Sequence, residues 1–272
     1  MTYSSMNLQL SSSELRQLQR KLRLKILEMH HNVRAGHIGC SLSCIDLLIS
    51  ILIFNKSEFD TFILSKGHAA TALYSCLNYL GEISDNEMKS FYKEGTRLPA
   101  HPVPGKFKGI PFATGSLGHG FPVGAGIAKA NNMRNENFWV YVLVSDGETN
   151  EGTTWEAAHF AKKHKLDKLI ILVDKNRIQG FDSSKKVLGD TTTEKLWLSL
   201  GFDAATVDGH NILAINKQLK DFKNCLNSNP KVIIANTIKG KGVSFMENQL
   251  DWHYWSMNDE QYNIAINELK NL

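Results

Sequence analysis

Short apolar runs alternate with stretches of helical periodicity along most of the chain. Strand candidates occupy residues 61–64, 139–144, 169–173, 202–207 and 232–235, and helix candidates occupy 69–80, 85–93, 117–134, 151–164, 193–200 and 212–226. Strands separated by helices predict an α/β fold: a mostly parallel sheet with helices on both faces. Two helices precede the first strand. Ser11-x-x-Glu14 is a capping box, and Leu15, Leu18, Leu22, Ile26 and Met29 follow it at helical spacing as far as Gly36. The second helix, 42–54, is apolar almost all round and is predicted to be buried. A last helix, 258–272, starts at Asn258 as its cap. No internal repeat, low-complexity tract or linker interrupts the 272 residues, so residues 1–272 read as a single domain. The stretch 95–120 holds most of the prolines and many glycines, and reads as a long irregular loop of the kind that carries function.

Apolar residues make up 42% of the chain, enough to bury a full core. A formal charge of +4, spread along the chain, gives no electrostatic footprint for nucleic acid. The four cysteines (Cys40, Cys44, Cys76 and Cys225) have neither zinc-site nor disulfide-framework spacing, which fits a reducing compartment. The first ten residues are polar, and the longest apolar run, 47–54, is far shorter than a membrane span of about 20 residues. The expectation is a cytoplasmic protein with no membrane or nucleic-acid partner.

In open α/β sheets, ligands bind outside the carboxyl ends of the strands. The segments that follow the strand candidates are polar or glycine-rich: Ser65-Lys66-Gly67-His68, Ser145-Asp146-Gly147-Glu148, Asp174-Lys175-Asn176, Asp208-Gly209-His210 and Lys239-Gly240-Lys241-Gly242. Asp146 ends one strand and Asn176 follows the next, so both can reach one ion. Their oxygen ligands suit magnesium, which takes one or two protein groups plus phosphate oxygens. Gly147 leaves room for a phosphate against the backbone, and a helix start follows. Asp-Gly alone would be an ordinary turn; its pairing with Asn176 favours the metal. Several histidines sit in glycine-rich loops, notably His37, His68, His101 and His119, with His253 after Trp252. Histidine can move protons or donate hydrogen bonds near neutral pH. His30, His31, His159 and His164 fall in helix candidates and read as structural.

Ser145-Asp146-Gly147-Glu148 through Glu151-Gly152, with Asp174-x-Asn176-x-Ile178 downstream, resembles the thiamine-diphosphate signature of transketolases. Ala35-Gly36-His37-Ile38-Gly39, Ser65-Lys66-Gly67-His68, His101-Pro102, Gly115-Ser116-Leu117-Gly118 and Trp252-His253 resemble further loops of that family, in the same order. Ser145 stands where many members have glycine, and His119 where many have glutamine. The resemblance implies thiamine diphosphate and Mg2+ as cofactors. It implies Asp146, Asn176 and the carbonyl of Ile178 as metal ligands, and Gly147 against the diphosphate. It further implies His68, Gly115, Ser116, Leu117 and His253 on the cofactor, and His37, His101 and His253 as catalytic. Glu151 matches a position on the cofactor side, in a carboxylate network linking paired sites, although a helix dipole equally favours an acid there.

The resemblance runs from about Leu15 to the end and covers only the N-terminal part of a full transketolase. The pyrimidine-binding domain, which supplies the glutamate that activates the cofactor, has no counterpart in it. The implied protein is therefore the N-terminal subunit of a split transketolase. It would transfer a two-carbon ketol unit from a ketose, or ketose phosphate, to an aldose, with a separate C-terminal subunit in a heterotetramer. A related ketol or acyl transferase of specialised or branched-sugar synthesis, and a non-catalytic cofactor-binding scaffold, are the alternatives.

Overall fold

The structure, a computed structural model, describes residues 10–271. The polar N-terminal segment, apart from Leu10, and the last residue of the predicted terminal helix lie outside the described residues. Five parallel strands form one sheet in the order β1-β2-β3-β5-β4. They are β1 (Thr61–Leu64), β2 (Val140–Ser145), β3 (Leu169–Lys175), β4 (Asp203–Asp208) and β5 (Lys231–Asn236). The predicted strands are all present, each within two residues of its expected bounds.

Alternate side chains of the central strands serve two separate cores. Tyr141, Leu143, Ile170, Leu172, Ile233 and Ala235 face one way. They pack against α1 (Ser12–Val33), α2 (Ile38–Leu48), α3 (Ala70–Tyr79), α9 (Ile212–Lys223) and α10 (Asp259–Lys270). Val140, Val142, Val144, Leu169, Ile171, Val173, Val232 and Ile234 face the other way. Their partners are α5 (Gly120–Met133), α6 (Gly152–Lys163) and Trp197 of α8 (Glu194–Ser199). Central strands apolar along most of their length are what two covered faces require, and each fully buried aliphatic side chain contributes about 1.5–3 kcal/mol.

The helices depart from expectation where local backbone geometry intervenes. The second helix starts four residues early, at Ile38, and continues as a π-helix over Ile49–Asn55, where Lys56 N bonds to Ile51 O. Its 18 residues, Ile38–Asn55, are mostly buried inside the fold, as a core helix is. The helix expected at 85–93 is cut to α4 (Asp85–Met88); beyond it the chain runs in turns, with Tyr92 left-handed at φ 58° and its N–H donated forward to Leu98 O. Helix α5 starts at Gly120 instead of 117, since Gly118 takes φ 78°. The short α7 (Ser184–Leu188) buries no residue and so left no apolar periodicity to read.

Candidate cofactor cleft

The segments following β1, β2, β3 and β5 meet at the carboxyl end of the sheet. The hub is Asp174, fully buried, which forms an ion pair with the equally buried Lys66. Asp174 also accepts from Ser43 Oγ at 2.6 Å, from Thr237 Oγ1 and from Asn176 Nδ2 at 3.3 Å. Burial alone would depress the Lys66 pKa, but Asp174 holds it above its ordinary value. One carboxylate thus fastens α2 and the ends of β1, β3 and β5 together. Glu148, also buried, does the same on the other side. It accepts from Ser65 Oγ at 2.5 Å, Gly118 N at 3.0 Å and Ser145 N at 3.0 Å.

Above these hubs lies a cleft of about 250 Å³. At one corner Asp146 follows Ser145, which pairs with Asp174 across β2 and β3. Its carboxylate accepts from Gly147 N at 2.9 Å, Arg177 N at 2.6 Å and Ser184 Oγ at 3.0 Å. Burial, with Asp174 nearby, pushes the Asp146 pKa up, and no ion pair offsets its charge among the described residues. Asn176 gives its amide nitrogen to Asp174, which orients its carbonyl oxygen away from that hub. Arg177 is left-handed at φ 68°, a turn that brings Ile178 back into the cleft lining. A buried carboxylate with unoffset charge, an amide oxygen and a peptide carbonyl form an all-oxygen donor set that fits a magnesium ion. The space where a Gly147 side chain would project meets nothing closer than Gln179 at 3.4 Å, so an oxyanion can approach that backbone.

The predicted histidines converge in the same cleft. The rings of His37 and His253 are 5.0 Å apart, those of His37 and His68 5.6 Å, and those of His68 and His253 6.0 Å. His101 stands beside Gly115. Burial, reinforced by the neighbouring imidazoles, lowers the His37 pKa to about 4 and lowers that of His101. His37 is therefore neutral at pH 7, with one ring nitrogen to donate and one to accept. His253 Nδ1 lies 2.7 Å from Lys239 Nζ, which leaves the His253 ring proton on Nε2. Lys239 also donates to the carbonyl of Ile178 at 3.1 Å, and burial lowers its pKa.

The glycines around these histidines bring the chain's own backbone together. A Cβ on Gly36 would lie 2.6 Å from the carbonyl oxygen of Tyr254, and one on Gly67 would lie 2.6 Å from the carbonyl carbon of Thr114. His37 N donates to His253 O at 2.9 Å, closing the first of these contacts.

Of the residues expected at the site, His37, His68, His101, Gly115, Leu117, Asp146, Gly147, Asn176, Ile178 and His253 all line the cleft. Ser116 and Glu151 do not. Ser116 is exposed, and Glu151 is exposed at the start of α6, flanking Gly118. His119 is exposed and bonds only locally, to Leu117 O. His30 is structural, held between Thr71 Oγ1 and Ala35 O. Sequence reasoning missed Cys40, Gln179, Phe181 and Tyr254, which also line the cleft; Lys239, in the segment expected after the last strand, stands behind it. Only adjacency to the motifs could have signalled them. Burial alone would raise the Cys40 pKa, but Lys239 and His68 bring it well below the ordinary thiol value. A larger hollow of about 470 Å³ flanks the amino end of β1. Two of its acidic groups are committed to structure: Asp60 accepts from Ser57 N and Trp139 N, and Glu82 from Gly109 N.

The family model described as "Transketolase, thiamine diphosphate binding domain" matches residues 16–269. One relative, named as one of the subunits of the apulose-4-phosphate transketolase of Actinobacillus succinogenes, is 36% identical over 271 residues, covering 96% of this chain and 98% of that protein. The 6-deoxy-6-sulfo-D-fructose transketolase subunit SqwG of a Clostridium species is 34% identical, covering 92% of this chain and, on its own side, 94%. Among solved structures, Campylobacter jejuni transketolase superposes with a TM-score of 0.86 at 27% identity. The match covers 96% of this chain and 43% of that one, so the chain spans less than half of the solved enzyme. The cleft geometry and these end-to-end matches agree: the chain belongs to the transketolase family, as its thiamine diphosphate-binding domain.

Proposed function

We propose that this chain is the diphosphate-binding subunit of a two-subunit transketolase. In this reading residues 1–272 form one domain, and a partner subunit brings the pyrimidine-binding half of the active site. The observation that carries it is the convergence of Asp146, Asn176, the Ile178 carbonyl and the histidine set on one cleft. The relatives that match it end to end, named as subunits, support the split arrangement. Two chains of each kind would form a heterotetramer.

Asp146 and Asn176, through their side-chain oxygens, and Ile178, through its carbonyl, hold Mg2+, while Gly147 receives the diphosphate. When bound, thiamine diphosphate supplies the carbanion chemistry, and the protein positions and polarises. Neutral His37 exchanges hydrogen bonds with a sugar hydroxyl. His253, with its proton on Nε2, donates toward the reacting centre, and His101 closes the cleft beside Gly115. His68, Ser116, Leu117 and Glu151 belong to the cofactor side, Ser116 and Leu117 within the Gly115–Gly118 turn and Glu151 against Gly118. The reaction is transfer of a two-carbon ketol unit from a ketose phosphate to an aldose. The named relatives act on different sugars, so the donor is a sugar or sugar phosphate of that range.

The test is a gentle pull-down of the chain from its own cells, with mass spectrometry of what co-purifies, followed by a ketose-donor assay of the assembly. A pyrimidine-binding partner and turnover only in its presence are expected. Robust turnover by the chain alone would refute the split site. Cofactor binding without turnover in any assembly would leave a scaffold.

A further inference from the structure

Gln179 carries a polar atom that the fold does not satisfy. Its Nε2 is buried and has no hydrogen-bond partner among the described residues. Its backbone is committed: the N–H donates to Asp182 O at 2.9 Å, and the carbonyl accepts from Lys239 Nζ at 3.4 Å. The side-chain amide lies over Gly147, with Cγ and Cδ 3.4 Å and Oε1 3.8 Å from where a Gly147 Cβ would stand. The residue lines the cleft between Ile178 and Gly180. Turning the amide over would face Nε2 toward Gly147 and leave Oε1 unmatched in the buried position, so one polar atom lacks a partner either way. An unmatched buried amide is disfavoured strongly enough that native proteins rarely keep one without a use.

Asp146 is not the acceptor: its carboxylate accepts from Gly147 N, Arg177 N and Ser184 Oγ, and Gln179 Nε2 reaches neither of its oxygens. A magnesium ion cannot be it either, since an N–H donor does not coordinate a cation. What remains is an acceptor-rich ligand resting against the bare Cα of Gly147. We propose that the Gln179 side-chain amide donates a hydrogen bond to the diphosphate of the bound cofactor, and that this residue is a specificity element for the diphosphate end. The assignment rests on the functional reading above.

The experiment compares wild type, Gln179→Met and Gln179→Glu as full chains in their native assembly. Cofactor-free melting temperature and affinities for thiamine diphosphate, inorganic diphosphate and unphosphorylated thiamine are measured, all with saturating Mg2+. Methionine keeps the length of the side chain and removes the donor. Its cofactor-free protein melts at or above the wild-type temperature, because the unmatched amide is gone. Affinity for thiamine diphosphate and inorganic diphosphate falls by about 10- to 150-fold, the range for losing one hydrogen bond to a charged acceptor, and thiamine is unaffected. Glutamate weakens both diphosphates further. Unchanged diphosphate affinity in Gln179→Met overturns the proposal. So does a lower cofactor-free melting temperature accompanied by equal losses for thiamine and diphosphate, the signature of a structural role. If wild type binds neither diphosphate, the functional reading itself has failed, a distinct result.

Discussion

Replacing Asp46 by asparagine tests whether a buried charge cluster behind the cleft supports it. Asp46, fully buried on α2, receives Arg23 through two contacts, Nη1 to Oδ1 at 3.0 Å and Nη2 to Oδ2 at 2.5 Å. Gln19 Nε2 and His210 Nδ1 add bonds of 2.9 and 2.8 Å. His210 Nε2 in turn accepts from Ile238 N at 2.9 Å, and Arg23 Nε donates to Lys241 O at 3.3 Å. The cluster therefore holds the segment that carries Lys239. Burial would raise the Asp46 pKa, but Arg23 and His210 bring it from 3.8 down to about 2. A depression of that size corresponds to about 2 kcal/mol. A depressed folded pKa contributes stability that is present in full above the unfolded value and is lost as pH falls through the folded one. Asp46→Asn imitates the protonated form, so it should lose about 2 kcal/mol at pH 7. The gap from wild type should shrink to about half of that at pH 3 and close below pH 2. Urea unfolding of the cofactor-free proteins, followed by circular dichroism across that range, reads both quantities. A loss under about 1 kcal/mol at pH 7, or a gap that ignores pH, would refute the reasoning. Cofactor affinity should weaken alongside, because the Lys239 segment loses its anchor.

Asp146→Ala should abolish Mg2+-dependent cofactor retention, measured by equilibrium dialysis of the assembly. The cofactor-free fold should change little, since removing a disfavoured buried charge offsets the lost hydrogen bonds; normal retention would remove Asp146 from the metal site. Gly67→Ala forces a methyl to 2.6 Å from the Thr114 backbone, which should destabilise by about 1–3 kcal/mol and weaken cofactor binding. Gly126→Ala, on the open face of α5, meets nothing and should stabilise by up to about 1 kcal/mol; chemical denaturation of both separates close packing from helix propensity. His253→Ala should reduce turnover far more than melting temperature, and an unchanged rate would exclude it from the site.

The site is legible in the sequence where the fold forces chemistry onto strand ends. Asp146 and Asn176 can be picked out because strand runs are easy to see and their carboxyl ends point to one side, whereas His37 and His253 lie away from strand ends and stand out through their loop context and the family resemblance. Gln179 and Cys40 are not legible, because nothing in their residue type distinguishes a cleft-lining side chain from a buried or surface one; only the turn at Arg177 and the early start of α2 put them there. Glycine in these motifs suggests room for a ligand. At Gly147 the structure leaves that room, but at Gly36 and Gly67 the close approach is between two loops of the same chain. The long loop at 95–120 is irregular as its composition predicts, yet its contribution, His101 and the Gly115 turn, depends on contacts distant in sequence.

The polar groups at the two ends of the sheet are treated differently by the fold. At the amino end, Asp60 and Glu82 are matched by backbone donors. At the carboxyl end, Asp146 is pushed up, Lys239 and His37 are pushed down, and Gln179 has an unmatched amide. Every one of these is a buried or half-buried group whose charged or hydrogen-bonded form is favoured by something added to the cleft. A cation lowers the free energy of ionised Asp146, and an anion does the same for protonated Lys239. A magnesium–diphosphate pair brings both charges together, so each half makes the other's site more favourable than either alone. Binding to the folded state alone also adds about 2.7 kcal/mol of stability at a ligand concentration one hundred times Kd. The melting temperature should therefore rise much more with Mg2+ and thiamine diphosphate together than the sum of the two separate shifts. Simple additivity would mean that the cleft's charges are set by the protein alone.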